Sequence, residues 1–248
     1  ENGLWQVETT RGAYTAKVLV NCAGAWSAKL HNMLGGKALH ITDRRGQYWL
    51  LDHVEPLPFT MTMFQCPTAM GKGVLVSPTV HGNMLLGPSA EDIDDPLDTA
   101  TTAEGLSFVL DKCRLTWPAV STRANITNFA GIRAHEDSGD FIIGRVEDAE
   151  NAYETVGIES PGLSAAPAIG EELGGQIAQE QGLRKKASYL PPLPHAKPFY
   201  AMNDEERAQI VADAPLYGNL VCRCEVVTEA EIRAAINRPV GARSIDGV

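Results

Sequence analysis

Cys222 and Cys224, in the run Leu220-Val221-Cys222-Arg223-Cys224-Glu225, are the residues whose spacing points most directly to chemistry. Thiolates one residue apart can share a metal or an iron–sulfur cluster, and a complete thiolate site takes four ligands. Thr228-Glu229-Ala230-Glu231 follows in capping-box form and predicts a helix running to Ile236. No further cysteine occurs before Val248. The pair is therefore either a buried Cys-x-Cys with no ligand role or half of a site completed elsewhere in a longer protein. Glu1 stands where an initiator Met would, and the chain opens in mid-pattern at Leu4–Thr9, which favours the second reading: an internal piece of a multidomain protein.

Bulk composition narrows the class. The 248 residues suffice for one large domain or two smaller ones, and 44% hydrophobic with 21% charged residues is the balance of a globular chain. A net charge of −10 argues against nucleic acid, which needs a basic surface, while leaving room for a local cationic pocket. No run approaches ~18 apolar residues, so no membrane-spanning helix is expected. The five cysteines are odd in number, and Cys22, Cys66 and Cys113 stand singly among apolar neighbours, which suits a reducing compartment better than a disulfide framework.

The elements that must position any chemistry follow from periodicity. Residues 4–9 and 13–21 read as strands about the turn Arg11-Gly12. Asn21-Cys22-Ala23-Gly24-Ala25-Trp26-Ser27 then places small residues between a strand end and a helix over 27–34, so a backbone there can approach a flat or charged ligand. Residues 46–52, 73–78 and 83–88 are further strands. Thr101-Thr102-Ala103-Glu104 reads as a capping box opening a helix that buries Leu106, Val109, Leu110 and Cys113 and stops at Pro118. Residues 123–134 and 140–146 look like a strand pair around a polar turn at 135–139. A strand over 153–158 leads through Pro161-Gly162-Leu163-Ser164 into a thin Ala- and Gly-rich helix ending near Gln181. Four prolines and Arg184-Lys185-Lys186 mark a linker, within which a short helix covers 203–212.

Six of these segments, in this order, resemble the FAD-dependent oxidoreductases of the D-amino acid oxidase superfamily, in the branch of glycerol-3-phosphate dehydrogenase and L-2-hydroxyglutarate oxidase. They are Val18–Ser27, Arg45-Gly46-Gln47-Tyr48, Pro78–Asn83 with Leu86-Gly87-Pro88, Gly131-Ile132-Arg133, Asp140–Gly144, and Gly157–Ser164 with Pro167-Ala168-Ile169. Cys222-Arg223-Cys224-Glu225 resembles the start of a bacterioferritin-associated-ferredoxin-like [2Fe-2S] domain, of which this chain holds half the ligands. The Gly-x-Gly-x-x-Gly that anchors the FAD pyrophosphate is not in the sequence.

The resemblance implies an α+β fold, with a mostly antiparallel substrate-domain sheet plus the remaining part of an FAD-binding α/β domain. Residues 1–26 and 125–182 would belong to the FAD domain, 27–124 to the substrate domain, 183–215 to the linker and 216–248 to the start of the [2Fe-2S] domain. Strand 16–21 should touch strand 153–158. The implied reaction is oxidation of an anionic hydroxy substrate, glycerol 3-phosphate first, by hydride transfer to flavin. An L-2-hydroxyglutarate or amino-acid oxidase is the alternative, and a non-catalytic interaction module in an electron-transfer complex is a third reading. FAD would be approached by Ala23, Gly24, Trp26, Gly131, Gly162, Leu163 and Ser164. Arg133 is the first candidate for the substrate anion because guanidinium binds phosphate or carboxylate with two parallel bonds. Arg45 is second, and His81 could polarise the substrate hydroxyl. Cys222 and Cys224 would ligate the cluster of the parent protein. The fragment, lacking the pyrophosphate loop, is expected to hold FAD weakly and to be inactive. The electron acceptor would be a quinone or a partner subunit, reached in the cytoplasm or at the inner face of the membrane with peripheral association of the parent.

Overall fold

The computed structural model describes residues 3–53, 56, 58–66, 73–188, 197–223, 225–238, 240–245 and 247–248. The chain divides into two compact units, Glu1–Arg184 and Lys185–Val248. Helix and strand are mixed throughout, as the sequence predicts.

The first unit runs β1 (Trp5–Thr9), β2 (Gly12–Ala16), β3 (Leu19–Asn21), α1 (Ser27–Leu34), β4 (Ile41–Leu51), β5 (Leu75–Pro78), β6 (Met84–Gly87), β7 (Glu91–Ile93), α2 (Ala103–Thr116), β8 (Asn125–Glu136), β9 (Ile142–Arg145), β10 (Ala152–Val156) and α3 (Gly162–Glu180). β1 and β2 form a hairpin. The expected strand over 13–21 is two strands, since β2 pairs with β1 whereas β3 pairs in parallel with β10. The anticipated contact between strands near 16–21 and 153–158 is this β3–β10 ladder, with Leu19 opposite Ala152 and Asn21 opposite Glu154. β9 closes the three-stranded sheet on the other side of β10.

The larger sheet is antiparallel, with β4 at its centre. β6, β7 and β8 all pair with β4, and β5 pairs with β6. β8 follows β4 from Ile41–Glu136 to Leu51–Asn125 with one register shift. The strands at 125–136 and 142–145 are therefore not the hairpin that the sequence suggests. β8 pairs along one edge with β4, and β9 pairs with β10 in the other sheet. The expected boundary at 124/125 falls at the start of β8, a strand integral to the antiparallel sheet.

Strand pleating sends alternate residues of β4 to opposite faces. One face carries Arg45, Gln47, Trp49 and Leu51 toward α2. There Leu51, Val76, Met84, Leu86, Val109 and Cys113 pack into a buried core with Trp49, Phe59 and Trp117 at its margin. Fully burying each large apolar side chain is worth roughly 1.5–3 kcal/mol. Cys113 is a core residue, as its place on the apolar helix face suggests, and burial pushes its thiol up to about 12. Cys22 and Cys66 are exposed, contrary to the apolar surroundings their flanks suggest.

Gln47 ties α2 to the sheet. Its side chain accepts from the Thr102 amide at 2.7 Å and donates to Thr102 Oγ1 at 3.2 Å and to Glu91 Oε2 at 3.3 Å. These bonds explain why the helix cap is Thr102, whose hydroxyl accepts from Gly105 N, and not Thr101 in a capping box with Glu104. Thr101 instead donates to Asn128 Oδ1.

A second polar tie lies by the parallel strands. His31 of α1 and Glu154 of β10 are both buried, with Nδ1 2.8 Å from Glu154 Oε2 and Nε2 3.0 Å from the Lys37 carbonyl oxygen. Both ring nitrogens thus face oxygen atoms, which ties α1 to β10 and to the chain at Lys37.

In the second unit, α4 (Asp204–Asp213) and α5 (Glu229–Asn237) each start with a complete capping box, Asn203 with Glu206 and Thr228 with Glu231. Between them β11 (Leu220–Cys222) pairs with β12 (Val227–Thr228). The helix expected over 203–212 and the capped helix after the cysteines are thus both present. Part of the proline-rich segment, 189–196, and Cys224 lie outside the described residues.

Gly105 tests the packing of α2. A methyl there would run into the Gln47 amide, whose movement would break its bonds to Thr102 and Glu91. Gly105→Ala should destabilise the protein by up to about 2 kcal/mol, because roughly 1–3 kcal/mol of lost hydrogen bonding is offset by a helix-propensity gain of about 1 kcal/mol. Gly175→Ala, with nothing within 4 Å of the new methyl, should instead be neutral or stabilise by up to about 1 kcal/mol. Denaturant unfolding of the two variants reads both signs.

Candidate active site

β3 and β10 are parallel, so the loops at their carboxyl ends emerge on the same side, where open α/β sheets bind their ligands. After β3 the chain makes a short 3-10 turn over Gly24–Trp26, with Gly24 at φ +57°, before α1. Asn21, buried at the strand end, shapes this turn: its Oδ1 accepts from Ala23 N and its Nδ2 donates to the Ser27 carbonyl. After β10 comes Gly157 at φ +69°, where a side chain would also strike Glu136. The loop continues through Pro161 into α3.

That second loop forms one wall of a cleft of about 440 Å³, and Ile132 and Arg133 of β8 form the other. The loop wall comprises Ile158, Glu159, Ser160, Pro161, Gly162, Leu163 and Ser164. α3 begins there with no side-chain cap and no acidic residue in its first turn. A 19-residue helix presents partial positive charge at that end. Leu163 is almost fully exposed, and Ser164 donates its hydroxyl back to the Pro161 carbonyl at 3.0 Å.

Arg133 is oriented from below. Its Nη2 donates to the Ser89 carbonyl at 2.9 Å, and its Nε is buried with no hydrogen-bond partner among the described residues. It lies over the open face of the sheet, above Gly46, where an added Cβ would sit 3.6 Å from Arg133 Nη2. On the same face Tyr48 stacks on Phe129 with ring centroids 5.1 Å apart, and burial raises the Tyr48 hydroxyl above its ordinary value. Arg44 makes a two-bond pair with Asp92, at 2.6 and 3.2 Å; this bonding raises the guanidinium and lowers the carboxyl.

The structure separates the three residues assigned to substrate. Arg133 lines the cleft. Arg45, one residue from Arg44, points to the opposite face, 5% exposed, and is held by Glu91 at 2.8 Å and Asp98 at 2.7 Å. Those carboxylates raise its pKa and occupy its donors. His81 sits exposed on the turn between β5 and β6, next to the strand that meets β4 at Trp49–Leu51. Arg133 lies opposite Arg44, so the two ends are about 20 Å apart at roughly 3.3 Å per strand residue.

Of the residues assigned to flavin, Gly162, Leu163 and Ser164 line the Arg133 cleft. Ala23, Gly24 and Trp26 line neither this cleft nor its neighbour; their turn packs beside β4 and β8. Gly131 is exposed on β8 opposite Gly46. The neighbouring cleft, of about 420 Å³, is apolar and shares Ile158 with the first; Val20, Cys22 and the thin face of α3 at Ala166, Gly170 and Gly174 line it. Of two residues that the sequence argument passed over, Glu159 lines the Arg133 cleft and His135 hydrogen-bonds to it at 2.8 Å from behind. His135 was legible in principle, since it is two residues from Arg133 on one strand and so on the same face.

Cys222 lies in the second unit on β11, half-buried. Among the described residues no group of three or more His, Cys, Asp or Glu is gathered as a metal site.

An uncapped helix end, a part-buried guanidinium and an apolar slot thus lie together at the carboxyl ends of parallel strands, where open α/β sheets bind their ligands. Residues 1–175 match the FAD dependent oxidoreductase family, and the chain belongs to it. It is 41% identical to a glycerol 3-phosphate dehydrogenase of Caloramator mitchellensis over 98% of this chain and 51% of that protein. A glycerol 3-phosphate oxidase of Mycoplasma pneumoniae is 32% identical over 68% of this chain and 44% of its own length. The FAD-bound L-alpha-glycerophosphate oxidase from Mycoplasma pneumoniae superposes with a TM-score of 0.69 at 29% identity, covering 76% of this chain and 50% of that one. The chain spans about half the length of the curated relatives it matches.

The two arginines should separate cleanly in solution. Arg133→Ala should weaken binding of inorganic phosphate, followed by calorimetry, with little change in melting temperature. Arg45→Ala should leave phosphate binding intact and cost about 2 kcal/mol of stability, since it strips charge-assisted bonds from Glu91 and Asp98.

Proposed function

We propose that the whole protein is an FAD-dependent dehydrogenase or oxidase acting on an anionic 2-hydroxy compound, glycerol 3-phosphate foremost. The observation that carries this is the pairing, across one cleft, of the Arg133 guanidinium with the uncapped start of α3. The relatives that lead by identity are named for glycerol 3-phosphate, which supports the same substrate.

The residues present fit the flavin end of the cofactor. The first turn of α3 offers amides and carries no carboxylate of its own, and Gly162 leaves so little room that a Cβ would meet Ile158 at 2.6 Å. Gly162, Leu163 and Ser164 would hold the ring edge on which negative charge grows during reduction, the charge that a helix N-terminus favours. Bound FAD would supply the hydride acceptor. Arg133 would fix the phosphate through two parallel N–H bonds and so set the reacting carbon in one place. Tyr48 and Phe129 would form an apolar floor that excludes water from the same face.

FAD-loaded full-length protein mixed anaerobically with glycerol 3-phosphate should lose its oxidised-flavin absorbance. Bleaching by L-2-hydroxyglutarate or an amino acid and not by glycerol 3-phosphate would overturn the substrate assignment. Arg133→Ala should raise KM roughly 10- to 100-fold, the loss of a charge-assisted pair, and Arg133→Lys should restore little because ammonium lacks the planar fork.

The cysteines belong to a separate part of the proposal. Two thiolates do not complete a four-thiolate cluster, so no step is assigned to one within this chain. In the parent protein Cys222 and Cys224 would supply two ligands of a [2Fe-2S] cluster. Replacing both by Ser in the full-length protein should remove the iron–sulfur signal and keep the flavin; unchanged iron content would remove them from the ligand set.

A further inference from the structure

The cleft that holds Arg133 also holds a carboxylate that the assigned chemistry does not use. Glu159 lines it, on the loop wall opposite β8. Its Oε1 lies 2.8 Å from His135 Nδ1, and both side chains are about three-quarters buried. A carboxylate accepts only, so Nδ1 carries the proton and the imidazole acts as donor. Among the described residues no hydrogen bond reaches Glu159 Oε2. His135 and Arg133 alternate on β8 with buried Ala134 between them, so both lie on the face turned to the loop. His135 itself does not line the cleft; it braces the carboxylate that does.

We propose that Glu159, held in place by His135, selects the substrate: it accepts a hydrogen bond from the uncharged hydroxyl end of a molecule whose anionic end sits on Arg133, and it repels a second acid group there. This rests on the reading of the site as one for a hydroxy anion, and deepens it. A polyol monophosphate such as glycerol 3-phosphate carries its charge at one end and hydroxyls at the other, which matches a guanidinium on one wall and a carboxylate on the other. A dicarboxylic 2-hydroxy acid of similar length would have to bring its second carboxylate toward Glu159. Like charges brought together in a partly desolvated cleft act against the wrong substrate more than they help the right one. Arg44, which lies within electrostatic reach of Glu159, makes its two side-chain hydrogen bonds to Asp92. Glu159 would touch substrate, whereas His135 would be a positioning residue.

The test compares FAD-loaded full-length wild type with Glu159→Gln, His135→Ala and His135→Asn. Turnover is measured with glycerol 3-phosphate and L-2-hydroxyglutarate. Calorimetric binding is measured with two unreactive probes, 2-hydroxyethyl phosphate and glutarate. Glu159→Gln keeps the shape and removes the charge. It should narrow the kcat/KM ratio between the two substrates about tenfold or more, mainly through KM, and tighten glutarate relative to 2-hydroxyethyl phosphate by a similar factor. His135→Ala should move both ratios the same way by less, and His135→Asn, whose amide can donate from the Nδ1 position, should bring them back toward wild type. Ratios unchanged in Glu159→Gln would overturn the inference while leaving the assigned function standing. A wild type that turns over the dicarboxylate in preference would overturn the functional reading itself. Glutarate binding weakened by Glu159→Gln would likewise refute a repulsive role, whatever the turnover.

Discussion

The ladder between β4 and β8 is the constraint on which the rest of the first unit depends. β4 is the one strand that β6, β7 and β8 all meet, and its pleat sorts eleven residues into two sets. The odd-numbered set from Arg45 to Leu51 turns to α2, where Arg45, Gln47 and Leu51 are buried and Trp49 is partly covered. The even-numbered set, Arg44, Gly46 and Tyr48, faces the loops at the ends of the parallel strands. A slip of one residue would exchange these sets, placing Leu51 and Trp49 in water and Arg44 in the core. The length of the β8 pairing makes such a slip costly.

The covered face is held by polar contacts as well as by apolar burial. Gln47 is fully buried and satisfied from both sides, by α2 through Thr102 and by β7 through Glu91. Arg45 is anchored by Glu91 and Asp98, so Glu91 joins the two. A network of this kind is stabilising only while every member is paired, because a buried group left without a partner costs about 1–3 kcal/mol. It fixes the distance between α2 and the sheet, and so gives the open face a rigid backing on which Arg133 can be held by the Ser89 carbonyl.

The open face becomes a site because two distant segments of chain converge there. Arg133 arrives on β8 as part of the antiparallel sheet. Glu159 through Ser164 arrive on the loop that follows β10, a strand of the parallel ladder. The crossing between the two sheets, from β8 to β9 and back through β10, is what places a guanidinium opposite a helix start. Gly157 permits the sharp exit from β10 that this requires, with a backbone conformation and a close approach to Glu136 that a side chain would obstruct.

Much of this was readable in the residues themselves. The capping box of α5, the apolar stripe of α2 and the turn into α3 are local: the side chains that make them lie within about two helical turns of one another, so their physics is complete in a short window. The motif residues that mark the family, Arg45–Tyr48 and Gly131–Arg133 among them, could likewise be read in order. What the sequence left open is every choice that depends on a partner far along the chain. Alternation says that Arg44 and Arg45 face opposite ways, but only the packing of α2 says which of them is buried. Local pattern offers β9 to β8 as a hairpin, but β9 pairs with β10, a partner that closes a different sheet. His135 and Glu159 are unremarkable as residues 24 positions apart; the fold alone brings them to 2.8 Å beside Arg133. Short-range order is set by neighbours in sequence, whereas a binding site is set by long-range pairing, and that is decided only when the whole chain has packed.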